Sequence, residues 1–334
     1  MDLKEVWESE EYKQIREEVQ DRLCFICIAG SRAYGTNTPT SDIDIRGVML
    51  PTKEELIGLK RFEQKEDSNS DSVFYEFNKF VKLVSECNPN TIELLNSPQI
   101  IIFNEVGKAL IDNAKMFLSK KAVNRFGGYA QAQLKRLENA LSHDSQSEEE
   151  RIKHLKVSID MMVDKLHQED NISIINKNNS LYVNANIDNW TLDKTRATLN
   201  DILQIEKVYN ELGRRNTKKD LPHLQKHIMH LIRLYLMVFD ILEKGEINTY
   251  RKNDKDFLLD IRNGKKFLIE GKLQDDFYPY LKTLEDRLEK DKELNIVPNK
   301  PDYDKIQSFI MDINSKVIND TVIKYKIPLF IKEN

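Results

Sequence analysis

The chain has 334 residues, of which 40% are apolar and 32% charged, with a formal net charge of −4 and only 11 Gly and 9 Pro. That length carries two ordinary domains, and the low Gly and Pro content excludes a collagen-like or low-complexity chain. The mild acidity excludes a whole-chain basic signature for nucleic acid. Three cysteines, Cys24, Cys27 and Cys87, do not make a disulfide framework. Cys24 and Cys27 lie in an apolar strand pattern that sends them to opposite faces, with no second ligand pair, so they read as structural. The acidic, amphipathic stretch Met1 to Arg22 is unlike a signal peptide, and no apolar run approaches a membrane span. The expectation is a cytoplasmic protein with no membrane contact.

In chain order, residues 4–22 carry Val6, Tyr12, Ile15 and Val19 among charges, which predicts a helix with one apolar stripe. The run Leu23 to Ala29 predicts a buried strand. Gly30-Ser31 opens a short helix or turn, and Gly35 to Ser41 is a polar loop. A second strand is predicted over 42–50 and stops at Pro51. Thr52 is placed to cap a helix, residues 60–70 read as an exposed loop, and 71–75 as a short strand. Phe77, Phe80, Val81 and Val84 share a helical face, Asn88-Pro89-Asn90 breaks that helix, and another short one begins near Thr91.

Beyond about residue 105 the pattern is helical almost throughout: 105–117, 120–141, 149–168, 193–212 and 221–244, with more from 273 to 318. The polar, Asn-rich stretch 171–190 is the exception, a lid or hairpin. The expected class is α+β: a small mixed-sheet domain over residues 1–110 and an α-helical domain over 111–334 that closes a cleft against it.

The chemistry concentrates in residues 30–44. A Gly-Ser pair between strand and helix offers backbone N–H groups and a hydroxyl to a phosphate. Asp42 and Asp44, at i and i+2 of a strand, share a face and suit Mg²⁺, which takes few carboxylates plus phosphate oxygens. Phosphate and magnesium together imply a nucleoside triphosphate. A two-metal site needs a third carboxylate.

This stretch resembles the DNA polymerase β-like nucleotidyltransferase superfamily, through Gly30-Ser31 followed by Asp42-Ile43-Asp44. Gly30-Ser-Arg-Ala-Tyr-Gly35 and Ser41-Asp-Ile-Asp-Ile-Arg-Gly47 resemble one branch, the YcgL-type predicted nucleotidyltransferases of bacteria and phages. The likeness continues at Phe77-Asn78-Lys79-Phe80, Asn88-Pro89-Asn90, Glu93-Leu94-Leu95, Gly128-Tyr129 with Gln133, His227 to Leu234, and Leu258 to Gly264.

The resemblance implies that Asp42 and Asp44 ligate metal and that Ser31, with Gly30, Arg32, Ser41 and Arg46, forms the nucleotide-binding set. By its placement at the opening of a strand, Asp71 is preferred to Glu76 as the third carboxylate and candidate general base. The implied ions are two Mg²⁺, with Mn²⁺ as the alternative. The implied reaction is in-line attack of an acceptor hydroxyl on the α-phosphorus of an NTP, ATP first, with release of pyrophosphate. The acceptor is open between a small molecule, a protein and an RNA 3′ end. The alternative function is a catalytically idle nucleotide-binding regulatory module.

Several residues carry a bland reading beside a functional one. Arg46 pairs with the acids or touches a phosphate. Asn88 and Asn90 cap the helix near Thr91, or Asn88 faces the cleft. His227, His230 and Arg233 share one helical face, mainly structural, with cleft lining as the functional alternative. Tyr129, Gln133 and Arg136 read as core-edge packing. Arg214-Arg215 and Lys218-Lys219 form a solvated connection or meet an anionic acceptor.

Overall fold

The computed structural model describes residues 2–67, 70–144, 172–177, 180–186, 188–196, 198–200, 202–203 and 221–332. The expected helix over 149–168, most of that over 193–212, and the basic pairs at 214–215 and 218–219 lie outside these residues.

The amphipathic start folds as two short helices, α1 (Leu3–Glu8) and α2 (Lys13–Val19), rather than one. Leu3, Trp7, Tyr12, Ile15 and Val19 are all buried from these helices and the turn between them. They lie against Ile26, Ile28, Ile45, Met49 and Phe74, on one face of a six-stranded mixed sheet. Strand β1 (Leu23–Ala29) is buried at every position, as its unbroken apolar run predicts for a central strand.

The chain continues through α3 (Gly30–Tyr34), β2 (Asp44–Met49), α4 (Lys53–Ile57), β3 (Gln64–Asp67), β4 (Ser72–Glu76) and α5 (Phe77–Ser85). The predicted cap at Thr52 is a full capping box with Glu55. Phe77, Phe80, Val81 and Val84 are all fully buried, and Phe80 meets Phe25 edge-on at 5.8 Å between ring centres. The stretch expected as loop over 60–70 instead supplies β3, at the sheet edge, antiparallel to β4. Its residues, Gln-Lys-Glu-Asp, carry no apolar alternation, and pairing to β4 alone makes them a strand.

Next come α6 (Pro89–Ile92), β5 (Gln99–Asn104), α7 (Glu105–Asp112) and α8 (Lys121–Asp144). The 171–190 stretch forms a hairpin of β6 (Ser173–Lys177) and β7 (Ser180–Asn184), with Ser173 opposite Asn184. The later elements are α9 (Leu221–Phe239), α10 (Lys255–Arg262), the two-residue strands β8 (Leu268–Ile269) and β9 (Lys272–Leu273), α11 (Phe277–Asp291), α12 (Tyr303–Ile318) and β10 (Lys324–Lys332).

The large sheet runs β10-β5-β1-β2-β4-β3, all antiparallel except the β2–β4 pair. The class is α+β, as expected.

By their internal contacts the described residues group into two units. One unit holds Met1–Lys135 together with Leu221–Asn334, and the other holds Arg136–Asp220. The last strand, β10, pairs with β5 in the front sheet, so the C-terminal third belongs with the N-terminal third. In the smaller unit the described residues include the hairpin and a Lys194 ammonium 4.9 Å from the Trp190 ring centre. Among the described residues no helix is long and apolar enough to cross a membrane.

Candidate active site

The site forms where β1 ends and β2 begins. Ala29 lies opposite Asp44 in the antiparallel register. Gly30 follows at φ +61°, and a Cβ there would collide with Asp44 Oδ2 and Cγ. The backbone at Gly30 thus touches the carboxylate, which only glycine permits. Helix α3 ends on Gly35 at φ +75°, where a Cβ would stand 2.6 Å from Tyr250 Cε2.

Asp42 is not in the strand. It lies two residues before β2, exposed, and its backbone carbonyl accepts a 3.1 Å hydrogen bond from Arg32 Nε. Arg32 Nη2 donates to the Ser41 carbonyl at 2.8 Å, so this guanidinium braces the loop. Tyr12 braces it from below, its hydroxyl donating to the Ile43 carbonyl at 3.2 Å. Ser41 Oγ accepts from Thr38 N at 2.8 Å and from Arg262 Nη2 at 3.2 Å. Arg262 Nη1 also donates to the Thr36 carbonyl at 2.7 Å. Arg32 and Ser41 thus both hold the shape of this loop. Ser31 lies part-exposed in the first turn of α3.

Strand β4 runs parallel to β2 with Arg46 opposite Val73. Asp71 lies in the turn one residue ahead of β4, and its side chain comes close to that of Asp44. Residues two apart in a strand share a face, so Asp44 and Arg46 point to the same side. Arg46 Nη2 is 3.5 Å from Asp44 Oδ1 and 3.4 Å from Asp71 Oδ1. Arg46 Nη1 also donates to the backbone carbonyls of Ile45 and Asp71. Asp71 sits at φ +44°, a left-handed conformation that aspartate tolerates. Its side chain is 70% exposed, against 22% for Asp44.

Burial pushes the Asp44 carboxyl above the usual carboxylate range, and Asp71 adds to the rise. Arg46 and Lys226 oppose it. Lys226, an exposed residue of α9, was not singled out in the sequence. Its signal was present, one residue before His227 on the same helix.

Glu76 lies at the other end of β4, opposite Met49. It caps α5, accepting from the backbone N–H groups of Asn78 and Lys79, both at 2.9 Å. Asn88 caps α6 through Asn90 N at 3.0 Å and donates to the Tyr129 hydroxyl at 3.4 Å. His227 Nδ1 lies 2.7 Å from Gln133 Oε1 of α8, a link between two of the matching segments.

Arg233 is buried. Its Nη1 donates to Glu93 Oε2 at 3.0 Å, and its guanidinium lies 3.6 Å from the centre of the Tyr34 ring. The Tyr34 hydroxyl donates to the other Glu93 oxygen at 2.6 Å. His230 meets Tyr34 edge-on at 6.2 Å between ring centres. Burial holds the His230 imidazole well below its ordinary pKa, helped by Arg233, Lys226, His227 and Arg262. Glu93 is the tie that sequence reasoning missed. A buried carboxylate joining α3 to α9 leaves no local pattern.

Two hard carboxylates, one on β2 and one in the turn ahead of β4, that already share one cationic group fit a hard divalent cation. Among the described residues, however, no three His, Cys, Asp or Glu side chains are drawn together at metal-binding spacing. Asp42 stands apart from the Asp44–Asp71 pair. Cys24 and Cys27 are buried thiols pushed upward by burial. Two cavities, of about 480 and 430 Å³, are lined by none of the three aspartates. The first holds Tyr250 and Arg251 in its wall, behind α3.

The chain is similar to the "Uncharacterized 38.9 kDa protein in nrdC-mobD intergenic region" of Enterobacteria phage T4, at 23% identity over 274 residues, covering 71% of this chain and 81% of the relative. No solved structure matches it. A family model described as "RNA repair pathway DNA polymerase beta family" matches residues 5–312. The match takes in the Gly30-Ser31 turn, the three aspartates and the Glu93–Arg233 tie together, and the chain belongs to that polymerase β-like family, RlaP.

Proposed function

We propose that the chain is a divalent-metal-dependent nucleotidyltransferase that moves an NMP from an NTP, ATP first, to a hydroxyl at an RNA end. The observation that carries this is the meeting of Asp44 and Asp71 on one guanidinium, Arg46, beside the Gly30 turn. The family description supports RNA over the other two acceptor classes, a small molecule and a protein.

Asp44 and Asp71, with Asp42 brought in from the loop, would hold the cations, with Mg²⁺ before Mn²⁺. When bound, such ions neutralise phosphate charge and lower the acceptor hydroxyl's pKa. Gly30 and Ser31 meet the triphosphate through the backbone and hydroxyl of α3. Asp71, largely exposed, receives the acceptor's proton. The acceptor oxygen bonds to the α-phosphorus as the bond to the β-phosphate bridge breaks, and pyrophosphate leaves. Lys226 adds positive charge facing Asp44.

The test is pyrophosphate release from each labelled NTP with Mg²⁺ and an RNA oligonucleotide bearing a 3′ hydroxyl. Wild type should add nucleotide to the RNA, and Asp71→Asn, which changes a largely exposed side chain, should lose that activity about a thousandfold while melting normally. Equal release by wild type, Asp71→Asn and Asp44→Asn would sink the proposal.

A second reading is an idle nucleotide-binding module. The exposed loop position of Asp42, outside β2, favours it. Nucleotide binding without any acid-dependent release would select it.

A further inference from the structure

We propose that Arg46 is the resident counter-ion of the metal position. Its guanidinium reaches both Asp44 and Asp71 and competes with a divalent cation for the same carboxylate oxygens. The inference rests on the reading of Asp44 and Asp71 as metal ligands.

Three observations carry it. A single nitrogen, Arg46 Nη2, reaches both carboxylates, at 3.5 and 3.4 Å. Arg46 and Asp44 stand on β2, and Asp71 lies in the turn directly ahead of the paired strand β4, its backbone carbonyl bound by the same guanidinium. Arg46 and Asp44 are both about one-fifth exposed, so water screens their contact only in part.

A Mg²⁺ or Mn²⁺ ion takes carboxylate oxygens at about 2.1 Å. A guanidinium on those same oxygens would repel it and occupy the lone pairs it needs. The two cations therefore compete for one pair of acids. Displaced, the planar fork of Arg46 stays within a side chain's length of the ion. There it suits a phosphate, which links metal entry to nucleotide entry.

A positioning role for Arg46 makes the opposite forecast. Arg46 also donates to the Asp71 backbone carbonyl, next to a left-handed φ of +44°. If the guanidinium mainly holds Asp71 in place, its removal loosens a metal ligand and weakens binding.

The experiment is a Mn²⁺ titration of the full chain by electron paramagnetic resonance, without nucleotide, on wild type, Arg46→Met and Arg46→Gln. The gate forecasts Mn²⁺ binding about tenfold tighter in Arg46→Met, the scale of one adjacent charge. Equal or weaker binding overturns it. If Arg46→Met does not fold, Arg46→Gln, which keeps a donor for the Asp71 carbonyl, decides on the same terms. Asp44→Asn and Asp71→Asn separate the two failures. Wild-type Mn²⁺ binding that ignores both acids removes the ligand reading and this inference with it. Binding that needs the acids but does not tighten without Arg46 removes this inference alone.

Discussion

Gly30 and Asp44 touch, with the glycine Cα where any larger residue would drive a Cβ into the carboxylate. Gly30→Ala should therefore push Asp44 out of register with Asp71. It also forces alanine to φ +61°, a strain of about 1 kcal/mol. The expected result is a nucleotidyl-transfer rate at least about a hundredfold lower with a small fall in melting temperature. An alanine variant that turns over at the wild-type rate would show that the contact is incidental.

The Glu93–Arg233 pair joins the turn after α6 to α9 inside the protein, with both side chains almost wholly buried. Glu93→Gln leaves the Arg233 guanidinium without its counter-charge and should cost about 3–5 kcal/mol in chemical denaturation. Arg233→Met added to Glu93→Gln should recover part of that loss, because the stranded charge is then gone. A double variant less stable than Glu93→Gln alone would contradict the pairing.

His230 gives the fold an acid-sensitive point. Its pKa in the folded chain lies well below 6.5, while in the unfolded chain it is ordinary. As pH falls below 6.5 the unfolded state takes up the proton first, so stability falls from there down towards the folded value. His230→Phe, which keeps the edge-on contact with Tyr34, should flatten the fall in melting temperature between about pH 7 and pH 5. An unchanged slope would shift the acid sensitivity to other groups.

Arg262 holds the loop ahead of Asp42 through the Thr36 carbonyl and Ser41 Oγ. Arg262→Ala should raise KM for the NTP about tenfold, or ~1.4 kcal/mol, with a smaller change in kcat. Steady-state kinetics with saturating RNA would check this. A fall in kcat at constant KM would mean that the loop serves the chemistry rather than binding.

The sequence was most legible where the pattern is local. The apolar run 23–29, the Gly30 turn, the Thr52 box and the α5 face each need only a few adjacent residues, and each appears as read. The hairpin at 173–184 fell within the stretch set apart as polar. Strand β10 drew no notice because its apolar residues are part-exposed and its partner β5 lies more than two hundred residues away. Strand β3, polar throughout, exists only through its partner. The chain's return to the front sheet by β10, and the division near residues 135 and 220, follow from pairings that no local window contains.

By itself the sequence determined the chemical vocabulary: a Gly-Ser turn between strand and helix, a closely spaced pair of acids at Asp42 and Asp44, and two further acids, Asp71 and Glu76, as candidates for a third role. Periodicity and spacing encode such features directly. Only the tertiary structure decided which of these groups meet. Pairing of β4 with β2 brought the turn that carries Asp71 to Asp44 and left Glu76, at the far end of β4, to cap a helix. The same pairing put the Arg46 guanidinium within reach of both acids. Charge pairing across a sheet depends on which residues face each other at a few ångströms, and that distance is fixed by the packed fold rather than by the order of residues along the chain.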